Sequence, residues 1–95
     1  MKEFEGTKGE WIYLQELGEV VSKPSGLIAD LVVNGSEDHN GRLIAAAPEL
    51  LEALQYLFDN YKQLADSGDA GNWRLEDEPA GKKALHAINK ALGKE

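Results

Sequence analysis

The sequence predicts an α+β fold: a three-stranded antiparallel meander over about residues 10–33, packed by a long amphipathic helix over about 48–66 and a C-terminal helix over about 79–92. Two observations predict it. Up to Val33 the chain alternates apolar and polar residues and is rich in β-branched and aromatic types, the pattern of half-buried strands. From Pro48 onward apolar residues recur three and four apart, the pattern of a helix with one buried face.

Glu10 to Gln15 reads as the first strand, with Trp11 and Tyr13 on one face and Ile12 and Leu14 on the other. Gly18 marks a turn, and Glu19 to Ser22 is a short second strand. Lys23 to Gly26, with Pro24 and Gly26, turns the chain into a third strand, Leu27 to Val33. Along it Leu27, Ala29, Leu31 and Val33 are expected on one face and Ile28, Asp30 and Val32 on the other, with Asp30 making that face partly wet. Asn34 to Asn40 is polar, contains Gly35 and reads as a loop or a lead into a helix. Arg42 to Ala46 is a short helical stretch.

Pro48 has two readings, and the sequence leaves both open. It opens a new helix, where its missing N–H is no loss, or it kinks one longer helix. Beyond it, Leu50, Leu51, Leu54, Leu57, Phe58, Tyr61 and Leu64 share one side, while Glu49, Glu52, Gln55, Asp59, Lys62 and Gln63 take the other. A stripe this wide is expected to seal against the sheet or a partner chain, since burying one leucine stabilises by roughly 1.5–3 kcal/mol. Ser67 to Asp77 is an acidic, glycine-bearing loop holding Trp73 and Arg74. Pro79 opens the last helix, with Asp77 or Glu78 placed to cap it. Ala84, Leu85, Ile88, Ala91 and Leu92 form its apolar stripe, Gly93 its C-cap, and Lys90 and Lys94 meet the negative end of its dipole.

The 95 residues fit a single domain spanning 1–95. Hydrophobic residues at 42% and charged residues at 28% place the chain among globular proteins rather than disordered ones. No cysteine is present, which excludes disulfides, zinc ribbons and thiol nucleophiles, and which fits a reducing cytoplasm. Met1 to Lys8 is polar and charged, unlike a secretory leader, and the longest apolar run, Leu43 to Pro48, is too short to cross a bilayer. With 10 Lys and Arg against 17 Asp and Glu the net charge is −7, which argues against direct duplex DNA binding and for solubility or basic partners.

Three segments carry a family resemblance: "GTKGEW" at Gly6 to Trp11, "NGRLIAAAPELLEAL" at Asn40 to Leu54, and "AINKALGK" at Ala87 to Lys94. Together the chain resembles small accessory proteins of tailed phages and prophages that carry a "NARLIAAAPELLEAL" block after a β-rich start. This sequence departs from the block at Gly41, where alanine is usual. A glycine there weakens the helix by roughly 1 kcal/mol. The resemblance implies a phage origin and an accessory role. With no secretory leader or apolar span in the sequence, the expected location is the host cytoplasm. It carries no catalytic residues to transfer.

The residues assemble no catalytic constellation, so no enzyme is expected. His39 and His86 lie in separate elements, and none of Ser22, Ser25, Ser36 and Ser67 sits in a nucleophile elbow. Asp66, Asp69 and Glu76 flank a Gly-bearing loop but lack EF-hand spacing and read as solvated acids, so neither metal nor cofactor is expected. What remains is a binding site. Trp11, Tyr13 and Trp73 are suited to stacking a planar ligand. Arg42 and Arg74, with Lys62, Lys82 and Lys83 near element ends, are the cations for an anion, and the N–H groups near Pro79 are further donors. Trp73 with Arg74 resembles a lid; the bland alternative is a core plug beside a solvated arginine.

The resemblance to accessory phage proteins implies counter-defence by binding, in one of two forms. The first is a sponge that counters bacterial immunity by sequestering a nucleotide-type signal through Trp11, Tyr13, Arg42, Trp73 and Arg74. The second is an acidic inhibitor that docks on a basic surface of a host defence protein, with Glu49, Glu52, Asp59, Asp66, Asp69, Glu76, Asp77 and Glu78 as the docking face. A structural or regulatory phage component is the third possibility. Wide apolar stripes on so small a sheet also lead us to expect a homo-oligomer.

Overall fold

The computed structural model describes residues 4–23, 26–66 and 74–94. The fold is α+β, as the sequence predicts. Strands β1 (Trp11–Leu14), β2 (Glu19–Ser22) and β3 (Gly26–Asp30) form one antiparallel sheet in the order β1-β2-β3. Helix α1 (Glu37–Asp66), a 3₁₀ turn (Leu75–Asp77) and helix α2 (Pro79–Leu92) follow. The residues group into two compact units, one of residues 5–50 and one of residues 51–94 with Phe4; α1 contributes to both.

In the first unit the β1–β2 turn closes with Leu17 and Gly18 N–H groups on the Leu14 carbonyl, at 3.1 and 2.9 Å. Gly18 takes the left-handed conformation this turn needs, with φ 65°. Trp11 pairs with Ser22, Tyr13 with Val20, and Val20 in turn with Ala29, so these side chains share one face. That face holds fully buried Val20 and buried Ser22, whose hydroxyl donates to the Lys8 carbonyl at 2.9 Å.

The third strand corrects one expectation. Leu27 pairs with Val21 while Ala29 pairs with Val20, so Ile28 is an extra residue, a bulge. Since Val20 and Val21 point to opposite faces, Leu27 and Ala29 do too; strict alternation had put them together. β3 also ends at Asp30, and Val32 and Val33 beyond it are exposed. Asp30 faces Glu19 across the strands. Beyond this pair β2 has run out into the Gly18 turn, whose carbonyl takes one last bond from Leu31 N–H at 2.8 Å.

Helix α1 answers the question of Pro48. The helix starts eleven residues earlier, at Glu37, and runs through Pro48 without a break. Its start is fixed by side chains. Glu37 Oε2 accepts N–H bonds from Asn34 (3.2 Å) and Gly35 (2.7 Å), and Asn34 Oδ1 accepts from Ser36 (2.9 Å). These bonds satisfy backbone donors ahead of the first turn, and Glu37 and Asp38 there favour the positive end of the dipole.

In the second unit the core is Phe58, Leu75 and Ile88, with Leu51, Leu54, Ala84, Leu85 and Leu92 packed against it. Leu51, Leu54 and Phe58 of α1 thus close on the 3₁₀ turn and α2. Leu50, Leu57, Tyr61 and Leu64, expected in the same buried stripe, are instead half exposed, so only a narrow part of that stripe is covered. Gly81 makes this packing possible: a Cβ there would overlap the Leu75 carbonyl oxygen and sit 2.8 Å from its carbon. Glu78 is the N-cap of α2 but makes no side-chain cap bond. At the other end Gly93 adopts φ 75°, its N–H reaches the Lys90 carbonyl (3.2 Å), and Lys94 N–H reaches that of Asn89 (2.8 Å). This is the paired-bond glycine ending expected from the sequence. Among the described residues, no helix is long and apolar enough to cross a membrane.

Candidate functional site

Three of the five residues singled out for ligand binding meet in one place. Trp11, Tyr13 and Arg42 line an open groove of about 340 Å³, completed by Glu10, Ile12, Ala45, Ala46 and Glu49. Its walls are β1 and the first turns of α1. The helix supplies Arg42, Ala45, Ala46 and Glu49 at spacings of three and four, so they form one continuous stripe. Ala45 and Ala46 are short, and that shortness leaves the space open.

Each aromatic is held by its polar end. Trp11 Nε1 donates to the Thr7 carbonyl at 3.1 Å. Tyr13 donates its hydroxyl to Asp38 Oδ1 at 2.7 Å, and Gln15 Nε2 donates to Asp38 Oδ2 at 3.1 Å. The hydrogen bond to Asp38, then burial, then the negative charges of Asp38 and Glu37 push the Tyr13 phenol up to about 12. The ring lies on Gly41: a Cβ there would overlap Tyr13 Cδ1 and Cε1 and sit 2.8 Å from Cγ. Gly41 therefore has a packing reason to be glycine. Tyr13 is spent on seating the helix on the sheet, and the groove's chemistry falls to Trp11, exposed Arg42 and the carboxylates of Glu10 and Glu49.

The other two predicted residues do not join this groove. Trp73 lies outside the described residues. Arg74 belongs to the second unit and turns toward its own neighbours, with NH2 3.6 Å from Glu76 Oε2 and Nε 4.0 Å from Asp77 Oδ2. Lys62 is likewise engaged, its Nζ 2.7 Å from Glu76 Oε2. The Lys62 hydrogen bond leads the causes that hold the Glu76 carboxyl below its ordinary range. At the start of α1, backbone N–H bonds, led by its own, do the same for Glu37. Among the described residues no three His, Asp or Glu side chains converge to hold a metal ion.

Sequence reasoning left Glu10, Asp38 and Gly41 out of any site and placed Glu49 only on the acidic docking face. The stripe Asp38, Gly41, Arg42, Ala45, Glu49 carries the helical period that would have revealed most of them. It was hidden because residues 34–40 read as a loop.

The fold and groove thus define a small α+β protein with an open, mixed aromatic and charged surface site. A family model described as Salmonella phage P22 protein Y8K6 matches residues 1–95, and the chain belongs to that phage protein family. No curated protein and no solved structure matches it.

Proposed function

We propose that this phage protein acts by stoichiometric binding, holding a nucleotide-type ligand in the groove of Trp11 and Arg42 and so withdrawing a host immune signal. One observation carries the reading: an indole and an exposed guanidinium, from a strand and a helix far apart in sequence, line the same open groove. In this reading the indole stacks a base and Arg42 pairs with a phosphate. Glu10 and Glu49 accept hydrogen bonds from amino or hydroxyl groups. A single cation between two carboxylates, on a chain of net charge −7, suits a ligand with one phosphodiester rather than a polyphosphate. Tyr13, Glu37 and Glu76 are each tied into a hydrogen bond within the fold.

The test uses a Trp73→Phe protein, in which Trp11 is the sole indole. Cyclic and ADP-ribose-type nucleotides are titrated while Trp11 emission is followed. The reading expects saturable quenching by a phosphodiester ligand at one per chain. Arg42→Ala should then weaken binding by about tenfold or more, the worth of a charged hydrogen bond. No response to any nucleotide overturns it.

A second reading has its own observation. Glu49 and Glu52 are exposed on α1, and Glu49 lies on the same groove. Such a face suits an inhibitor that docks on a basic host protein. Reversing Glu49, Glu52 and Asp59 to lysine would abolish that docking; unchanged inhibition would exclude it.

A further inference from the structure

The helical wall of the Trp11 groove carries a charge at each end. Arg42 and Glu49 lie on one stripe of α1, about two turns or about 10 Å apart along the axis. Both are exposed. Between them the wall is Ala45 and Ala46, whose side chains hold no polar atom and leave room for a flat ring. The polar tips of the facing strand are already committed. Trp11 Nε1 donates to the Thr7 carbonyl, and the Tyr13 hydroxyl donates to Asp38. All of these residues lie in the unit of residues 5–50, where the Tyr13 bond and its ring on Gly41 join β1 to α1.

We propose that Glu49 reads the base of the bound nucleotide and that the base it selects is guanine. The inference rests on the nucleotide reading of the groove and adds the identity of the base to it. With the phosphodiester on Arg42, a nucleotide lying along the helix brings the outer edge of its base to Glu49. The two-turn spacing matches the length of a mononucleotide from phosphate to that edge. Glu10, the groove's other carboxylate, precedes β1 and does not share the element that holds Arg42, so the fixed spacing singles out Glu49. A carboxylate accepts hydrogen bonds and donates none, and its two oxygens take two adjacent donors side by side. Guanine presents such a pair on its outer edge, N1–H beside the 2-amino group. Adenine and cytosine each set a bare ring nitrogen beside the amino group, which turns a lone pair toward the negative oxygens. Uracil offers one N–H between two carbonyls. The carboxylate therefore rejects these bases by repulsion as well as favouring guanine by attraction.

The test titrates the Trp73→Phe protein with 3′,5′-cyclic GMP and 3′,5′-cyclic AMP, which differ only in the base, and follows Trp11 emission. Cyclic GMP should bind at least about tenfold more tightly, the worth of a hydrogen bond to a charged group. Cyclic IMP, which lacks the 2-amino group, should lose most of that preference. Glu49→Ala should bring the ratio of the two affinities to about one by weakening cyclic GMP alone. Arg42→Ala should weaken both nucleotides alike and keep the ratio, since a phosphate contact carries no base information. Glu49 is exposed and alanine is a strong helix former, so the Glu49→Ala protein keeps its fold. Equal binding of cyclic GMP and cyclic AMP overturns the guanine inference and leaves the nucleotide reading standing. A guanine preference that survives Glu49→Ala overturns the role of Glu49. Binding of neither nucleotide overturns the inference as well, and silence across the whole nucleotide panel overturns the reading beneath it.

Discussion

Gly41→Ala sets two effects of known sign against each other. In an exposed helix, alanine for glycine stabilises by about 1 kcal/mol. Here the added methyl has no room. Its carbon would overlap Tyr13 Cδ1 and Cε1 and stand 2.8 Å from Cγ, where carbon atoms at rest need about 3.5–4.0 Å. The ring cannot slide off freely, because its hydroxyl is bonded at 2.7 Å to Asp38, one turn earlier on the same helix. Ring or helix must therefore shift by about 1 Å, and overpacking of this kind costs about 1–3 kcal/mol. The balance is a net loss of about 1 kcal/mol, read as a fall in Tm of about 4–8 °C. Thermal unfolding followed by far-UV circular dichroism measures it. In a Tyr13→Ala background the obstacle is gone, and the same substitution should become stabilising by about 1 kcal/mol. A Gly41→Ala protein more stable than wild type would refute the reasoning, since the ring could not then rest on that glycine.

Other outcomes follow from the same contacts. Gly81→Ala drives a methyl into the Leu75 carbonyl, a backbone group that cannot rotate away, and should destabilise by about 3 kcal/mol in urea denaturation. The Glu37 and Glu76 carboxyls titrate below the ordinary glutamate value of 4.5. Their contribution is therefore present above pH 4.5 and lost as pH falls through their lowered values. Glu37→Gln and Glu76→Gln should each flatten the acid limb of a stability–pH profile. Tyr13 has the opposite sense: raised from 10.0 to about 12, it stabilises fully below pH 10 and loses that contribution as pH climbs toward 12. An ultraviolet titration should show Tyr13 ionising late, and Tyr13→Phe should remove that step.

Much of this architecture was legible in the residues. The alternation of Trp11 to Leu14, the turn at Gly18 and the glycine ending at Gly93 all read directly, because each depends on local geometry. The bulge at Ile28 did not, since nothing local distinguishes a skipped residue from a paired one; only pairing with Val20 and Val21 does. Pro48 left two readings open for a related reason. Its intrinsic effect is to end a helix, but a helix already closed at Asn34 to Glu37 carries through it. At the groove, the chemistry of Trp11, Tyr13 and Arg42 was visible, and their roles were not. Tyr13 became a fastening because Gly41 removed the obstacle beneath its ring. Arg74 was diverted by Glu76 and Asp77, which the 3₁₀ turn brings round to it.

The central claim is that ligand enters between β1 and the first turns of α1. Heteronuclear NMR of the labelled protein, with a cyclic nucleotide added stepwise, tests it most directly. The account predicts saturable shifts of the Trp11 indole N–H, of the Glu10 to Tyr13 amides and of the Arg42 to Glu49 amides. A spectrum that does not move, or shifts confined to Leu75 to Ala84, would contradict it.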